Sequence, residues 1–298
     1  MQRASEQNSH RSETKNGASL NLFRLMTPKE IAKFQEEILT WYAAHQRALP
    51  WREIPFDISL QERDAYKILL SETMSQQTQI SRVIPKYETW INKFPTVADL
   101  ANASVAEVLQ YWSGLGYNRR ALNLKKTATI IVEKYNGKFP RNEKELLALP
   151  GIGQYTARAL LCFAFDQQVT VIDTNVRKVL LVRLRVPEKD IPMVADKILP
   201  KGKAYEWNQA LMDYAGAMLK EHKISIPKQS KFIGSHRYYR GQILKKLLEK
   251  KEIALKDLGS LIKKDYSENE YEWLSGLVLE LKDEGFVQTT KKSIKLTS

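Results

Sequence analysis

From Ala65 to about Lys220 the apolar residues recur at helical spacing, and no alternating strand pattern persists anywhere in that stretch. This period most constrains the fold, because a helix-period pattern cannot bury its apolar residues on one face of a sheet. The run is also repeatedly interrupted, at Pro85, at Pro95, at Gly114-Leu115-Gly116, at Pro140 and at Pro150-Gly151-Ile152-Gly153. Breakers so closely spaced predict many short helices packed in two lobes, hence an all-α core. With 298 residues the chain is long enough to bury one large or two modest cores.

The flanks read differently. Residues 1–26 are polar and cannot bury enough apolar surface to offset the entropy of ordering, so they are expected to be disordered. Order is expected from Thr27, where Thr27-Pro28-Lys29-Glu30 places a cap, a proline at the first helical position and a glutamate three residues on. The helix that follows runs to about His45 and carries Phe34, Ile38 and Trp41 near one face. The large domain is read as 27–219 and a basic linker as 220–239, where the periodicity fails around Pro227. Residues 240–298 show helical patterns at about 240–250, 255–264 and 268–284, then two short strand-like runs around Lys291-Lys292. Three helices followed by a hairpin is the order of a small α+β winged-helix-like module. About sixty residues make such a module marginal alone, so it is expected to dock on the larger domain.

Lys and Arg number 47 against 34 Asp and Glu, a net charge of +13, which favours a polyanionic partner. The single cysteine, Cys162, excludes an internal disulfide and a cysteine-held zinc or iron–sulfur site. No run of eighteen apolar residues and no secretory leader pattern is present, which predicts a cytoplasmic protein without a membrane partner.

Three strings carry chemistry. Leu149 through Ala157 is a glycine-rich turn opening into a helix, whose exposed N–H groups suit a DNA phosphate, although an ordinary tight connection between helices would read alike. Asp173, in Val171-Ile172-Asp173-Thr174-Asn175-Val176, follows an apolar run at the start of a helix, where an aspartate commonly serves as a cap. Glu72 follows Ile68 by four residues and Leu69 by three, which sets a carboxylate on a partly apolar face. Desolvation raises a carboxyl pKa, as a general acid working near neutral pH requires; a glutamate satisfied by neighbouring glutamines is the other reading.

These strings, with Leu49-Pro50-Trp51-Arg52, Gln76-Gln77-Thr78, Gly114-Leu115-Gly116-Tyr117 and Asn208-Gln209-Ala210-Leu211-Met212-Asp213, resemble the ordered motifs of MutY-type adenine DNA glycosylases of the helix-hairpin-helix superfamily. The resemblance covers about residues 47–218 and implies a two-lobed helical fold with double-stranded DNA across the cleft, and a flipped adenine excised from a mispair with 8-oxoguanine or guanine. It makes Glu72 the acid that protonates the base and handles water, and Asp173 the anion that stabilises the sugar cation. Arg52, Tyr155 and Gln209 would line the base pocket, Gln77 and Tyr117 would wedge into the duplex, and Gly151, Gly153, Gln154 and Thr156 would meet the DNA backbone. Carbonyls of the hairpin would suit a monovalent cation. Bifunctional relatives place a lysine where this chain has Tyr155, so a monofunctional enzyme is expected.

The chain also departs from that pattern. Residues 220–235 lack the four cysteines of the iron–sulfur loop, so no cluster is expected, and Arg237 and Arg240 with their tyrosines would supply backbone contacts instead. A winged-helix-like unit stands where a Nudix-like reader of 8-oxoguanine is usual; its lysines suit phosphates, while Tyr266, Tyr271 and Trp273 are expected in its core. Ser75 and Asn118 replace a usual leucine and tyrosine. A thymine or uracil mismatch glycosylase on the same fold, and a non-catalytic DNA-binding protein, are the competing readings, and a monomer is expected.

Overall fold

The computed structural model describes residues 26–59, 61–224 and 230–297, so nearly all of the expected N-terminal tail and part of the linker lie outside the described residues. The helices are α1 (Pro28–His45), α2 (Ala65–Ser75), α3 (Ile80–Lys93), α4 (Val97–Asn102), α5 (Val105–Trp112), α6 (Arg119–Tyr135), α7 (Glu143–Leu147), α8 (Gln154–Ala159), α9 (Thr174–Arg183), α10 (Ile191–Lys197) and α11 (Ala204–Met218). Then come α12 (His236–Lys250), β1 (Glu252–Ala254), α13 (Leu255–Ile262), α14 (Tyr271–Asp283), β2 (Val287–Thr289) and β3 (Ser293–Leu296). The core is mostly helical, as the period requires. Among the described residues no helix is long and apolar enough to cross a membrane.

Local chemistry sets the boundaries. Reciprocal capping boxes at Thr27/Glu30, Thr96/Asp99 and Ser104/Glu107 start α1, α4 and α5. α6 ends where Asn136 and Gly137 turn left-handed and the Gly137 N–H reaches back to the Ile131 carbonyl at 2.9 Å. Pro85 does not break the chain as its residue type suggested; it lies inside α3. The carbonyl that loses its donor there belongs to exposed Ser81, where water can replace the missing bond.

Chain contacts divide the described residues into two compact units, one taking those up to Ala48 with 161–224, the other 49–160 with those from 230 onward. In the first unit α11 packs on α1 and α9. Trp207 meets Phe34 edge-on at 5.8 Å, and buried Asp213 accepts from the main-chain N–H of Arg47 at 3.0 Å and from its Nε at 2.7 Å. That pairing satisfies a carboxylate which burial would otherwise penalise.

The second unit holds α2–α8 and the C-terminal module. Buried Trp90 donates to the Tyr66 hydroxyl at 2.9 Å and stands edge-on to Trp112 at 5.6 Å. The module forms an antiparallel sheet in the order β1-β3-β2, with Ile253 opposite Ile294 and Val287 opposite Leu296. The order helix–strand–helix–helix–strand–strand adds β1 to the expected three helices and hairpin, since three residues are too few to show an alternation in sequence. α12 begins at His236, inside the stretch read as linker, because Ser235 caps it by accepting from the Tyr238 N–H. Phe286, Leu258, Leu281 and Ile294 share one apolar cluster with Val105, Leu109 and Leu122 of α5 and α6. Tyr266 and Trp273 pack against this cluster, whereas Tyr271 is exposed.

A shared core makes the module and the helices beneath it one cooperative block. Phe286→Ala removes a fully buried ring and is expected to cost about 3–5 kcal/mol, read as a lower urea midpoint in a single transition seen alike by far-ultraviolet circular dichroism and tryptophan emission. An early, separate transition of the module alone would contradict the shared core.

Candidate active site

Glu72 sits in the third turn of α2, between buried Ser71 and Thr73, and is itself half-buried. Asp64 starts that helix, its side chain accepting from the N–H groups of Tyr66 and Lys67. The Tyr155 hydroxyl donates to Glu72 Oε2 at 2.7 Å. A phenol so placed holds the carboxyl in one orientation, which is what a proton-transferring group needs.

Tyr155 is delivered by the turn between α7 and α8. The Ile152 N–H closes that turn on the Leu149 carbonyl at 3.2 Å, and the Thr127 hydroxyl donates to the Pro150 carbonyl at 2.9 Å, tying the hairpin to α6. Gly151 is required internally: its φ is +78°, and a Cβ there would come within 2.8 Å of Asn123 Cβ. Gly153 has no such reason, since a Cβ at that position meets nothing within 4 Å and its φ is −94°. Its bare surface is open to an approaching backbone. Gln154 is exposed beside it, whereas Thr156 is buried, so its main-chain N–H rather than its hydroxyl is suited to a phosphate.

Gln77 and Tyr117 stand on two separate turns, both exposed and both left-handed, with φ of 54° and 48°. One side chain organises both turns. The Arg120 guanidinium donates to the carbonyls of Thr73 (2.7 Å), Met74 (3.1 Å) and Gln76 (2.7 Å) at the end of α2, and to those of Leu115 (3.0 Å) and Gly116 (3.2 Å). It also lies over the rings of Trp112 and Tyr117, at 5.1 and 5.6 Å. Burial pushes its pKa down to about 10, which still leaves it charged at neutral pH. Sequence reading passed over Arg120. The available signal was an arginine three residues after a Tyr that follows Gly-x-Gly, a spacing that folds a long donor back onto the turn.

In the other unit Asp173 caps α9, accepting from the Val176 N–H at 2.7 Å and from Asn175 Nδ2 at 2.8 Å. Burial raises its pKa and those donors oppose the rise only in part; the side chain keeps some accessible surface but is closely enclosed by protein. The approach to Asp173 is held by Asn208, which accepts from the Val171 N–H at 2.8 Å and donates to the Val169 carbonyl at 3.1 Å. Asn208 was singled out only as part of a motif; its role here is to anchor an extended segment. Gln209 beside it is buried. Arg52 is half-buried on the short helical turn Pro50–Arg52. Arg237 pairs with the Ser230 carbonyl, and Arg240 with Glu284 at 2.7 Å and Glu280 at 3.4 Å. Among the described residues no cluster of three or more His, Cys, Asp or Glu could hold a metal.

Residues 70–201 match the model of the HhH-GPD superfamily of base excision DNA repair proteins. That match runs through the helical core, from within α2 to just past α10. Over 183 residues the chain is 42% identical to a protein named adenine DNA glycosylase from Mycolicibacterium smegmatis, covering 59% of this chain and 60% of that one. It is 35% identical over 240 residues to the adenine DNA glycosylase of Mus musculus, covering 76% of this chain and 46% of that one. The chain thus spans about half the length of the relatives it matches. The chain aligns with the structure of a thermostable thymine-DNA glycosylase at a TM-score of 0.57 and 29% identity, over 63% of this chain and 87% of that one. Against a non-covalent endonuclease III–DNA complex the TM-score is 0.53 at 23% identity, over 64% and 86%, a likeness of fold.

The enclosed carboxyl of Asp173 has a measurable consequence. A folded-state pKa above the unfolded value makes this group's contribution most favourable below the unfolded pKa and progressively lost as pH rises through the folded one. Asn caps a helix as well as Asp and carries no charge to desolvate. Asp173→Asn, with the Asn175 amide turned over, is therefore expected to raise the melting temperature relative to the parent at pH 8 and to lose that advantage at pH 4. An advantage that grew on acidification would contradict the enclosed charge.

Proposed function

We propose that this chain is a monofunctional DNA glycosylase that hydrolyses the N-glycosidic bond of adenine mispaired with 8-oxoguanine or guanine in double-stranded DNA. The observation that carries the reading is the 2.7 Å bond from the Tyr155 hydroxyl to Glu72, which joins the hairpin helix to the carboxyl on α2. The HhH-GPD match supports base excision, and the adenine DNA glycosylases among the relatives support adenine as the base.

In this mechanism the adenine leaves the stack, the wedge residues Gln77 and Tyr117 offset part of the unstacking cost, and Glu72 delivers a proton to a ring nitrogen. The C1′–N9 bond then breaks with its electron pair on the base. Asp173 stabilises the cationic sugar, and water adds at C1′ while its proton passes to Glu72, leaving free adenine and an abasic sugar. The role of Asp173 rests on its match to the family motif. Tyr155 has no amine, so it forms no imine and the strand stays intact. The residues between 220 and 235 include no cysteine, and Cys162 is buried against Asn208, so the chain works without a cysteine-held cluster. The carbonyls of Leu149, Pro150 and Gly153 already accept internal bonds; a monovalent cation at the hairpin rests on the resemblance alone.

Glu72→Gln is nearly isosteric and keeps an acceptor for Tyr155 but delivers no proton. It is expected to retain duplex affinity and lose on the order of a hundredfold or more in single-turnover excision. Parent strands should break only after alkali, and borohydride should trap no adduct. A rate for Glu72→Gln within a few-fold of the parent, or a trapped adduct, would overturn the mechanism.

A further inference from the structure

Helix α6 meets three separate pieces of the proposed DNA-binding surface with one face. Arg120, Asn123 and Thr127 follow one another at three and four residues, the spacing that brings side chains to one side of a helix. Thr127 is bonded to the Pro150 carbonyl of the hairpin, and Asn123 stands where a side chain on Gly151 would collide. Arg120, one turn earlier, donates to the carbonyls at the end of α2 through Nη1 and to those of Leu115 and Gly116 through Nη2. We propose that Arg120 is a positioning residue for base flipping, which holds the Gln77 wedge in register with the hairpin that grips the DNA backbone. The proposal rests on the glycosylase reading above, which supplies the roles of wedge and hairpin.

The two wedge turns do not depend on Arg120 equally. Around Tyr117 other donors take part: the Arg82 guanidinium donates to the Gly114 carbonyl, and Trp112 Nε1 donates to the Gly116 carbonyl at 2.9 Å. The main-chain N–H of Arg120 also closes that turn on the Tyr117 carbonyl at 2.9 Å, a bond that any side chain at position 120 would keep. At the end of α2 the balance is reversed. Nη1 alone makes the bonds to the Thr73, Met74 and Gln76 carbonyls. Nη2 donates at 3.3 Å to the Thr78 hydroxyl, which itself donates to the Gln76 carbonyl at 3.2 Å. Gln77 thus lies between two residues that Arg120 holds, in left-handed backbone that a non-glycine residue keeps only under constraint. Taking a base out of the stack is uphill, and a wedge offsets that cost only while its own turn stays in place. Loss of the guanidinium therefore releases the Gln77 wedge and leaves the Tyr117 wedge largely anchored.

Arg120→Gln removes the fork of donors and keeps a good helix former. On an A·G duplex it is expected to slow single-turnover excision by about tenfold, the worth of one or two lost hydrogen bonds. Because it acts through Gln77, the same change should cost no more than about twofold in a Gln77→Ala background and its full amount in a Tyr117→Ala background. Amide hydrogen exchange of the folded proteins gives a second arm that needs no activity. Exchange at residues 76–78 should quicken by about tenfold, while that at 115–118 stays within about twofold of the parent. Arg120→Lys, whose single ammonium cannot serve both sets of carbonyls, takes its place in both arms if the glutamine variant fails to fold. An equal cost in all three backgrounds would make Arg120 a general support of the fold and overturn the proposal, as would unchanged exchange at 76–78. A parent protein that excises no adenine would overturn the glycosylase reading instead, and the exchange arm would still decide whether Arg120 holds the Gln77 turn.

Discussion

The second unit depends on one guanidinium. Arg120 gathers five main-chain carbonyls from two turns that are distant in sequence, the end of α2 and the Leu115–Gly116 bend. Helix ends and tight bends both leave carbonyls without donors, and a single planar fork of N–H groups can satisfy several of them. Because Gln77 and Tyr117 follow directly from those turns, the same contacts hold both in left-handed backbone, a conformation non-glycine residues adopt only under constraint. Helix α2 ends in the same cluster, so the carboxyl of Glu72 and the exposed Gln77 and Tyr117 share one mechanical base.

Asp173 is placed at some cost in stability. Glu72 is half-buried with a phenol on it, and Asp173 is enclosed strongly enough that burial outweighs its helix-cap donors. Elsewhere the fold treats buried acids differently: Asp213 is fully matched by Arg47 and does no evident chemistry. The contrast between Asp173 and Asp213 is one of donors: the helix-cap N–H and amide only partly offset burial at the first, while a guanidinium matches the second.

Much of this was legible in the sequence. The helical period, the caps at Thr27 and Asp173 and the hairpin glycines each follow from short-range rules, and Glu72 stood out as a carboxylate among apolar neighbours. What was not legible depends on distant parts of the chain. Arg120 is unremarkable until its turns are folded back on it; Asn123 gains meaning only as the side chain that forces a glycine at 151. β1 is three residues long and pairs with a strand some forty residues later. The start of α12 was missed because a polar, basic run hides the cap at Ser235. Pro85 misled because a proline early in an exposed helix is tolerated when water can serve the orphaned carbonyl. The shared core of the module with α5 and α6 likewise joins segments that no local pattern connects.

The central claim is that a protonating carboxyl beside the hairpin removes adenine and no pyrimidine. One measurement addresses it directly: the purified chain is incubated with duplexes carrying A·8-oxoguanine, A·G, T·G or U·G, and the strands are resolved after alkali. The account predicts scission at the adenine of A·8-oxoguanine and A·G and none at T·G or U·G. Scission at thymine or uracil with intact adenine strands would contradict it.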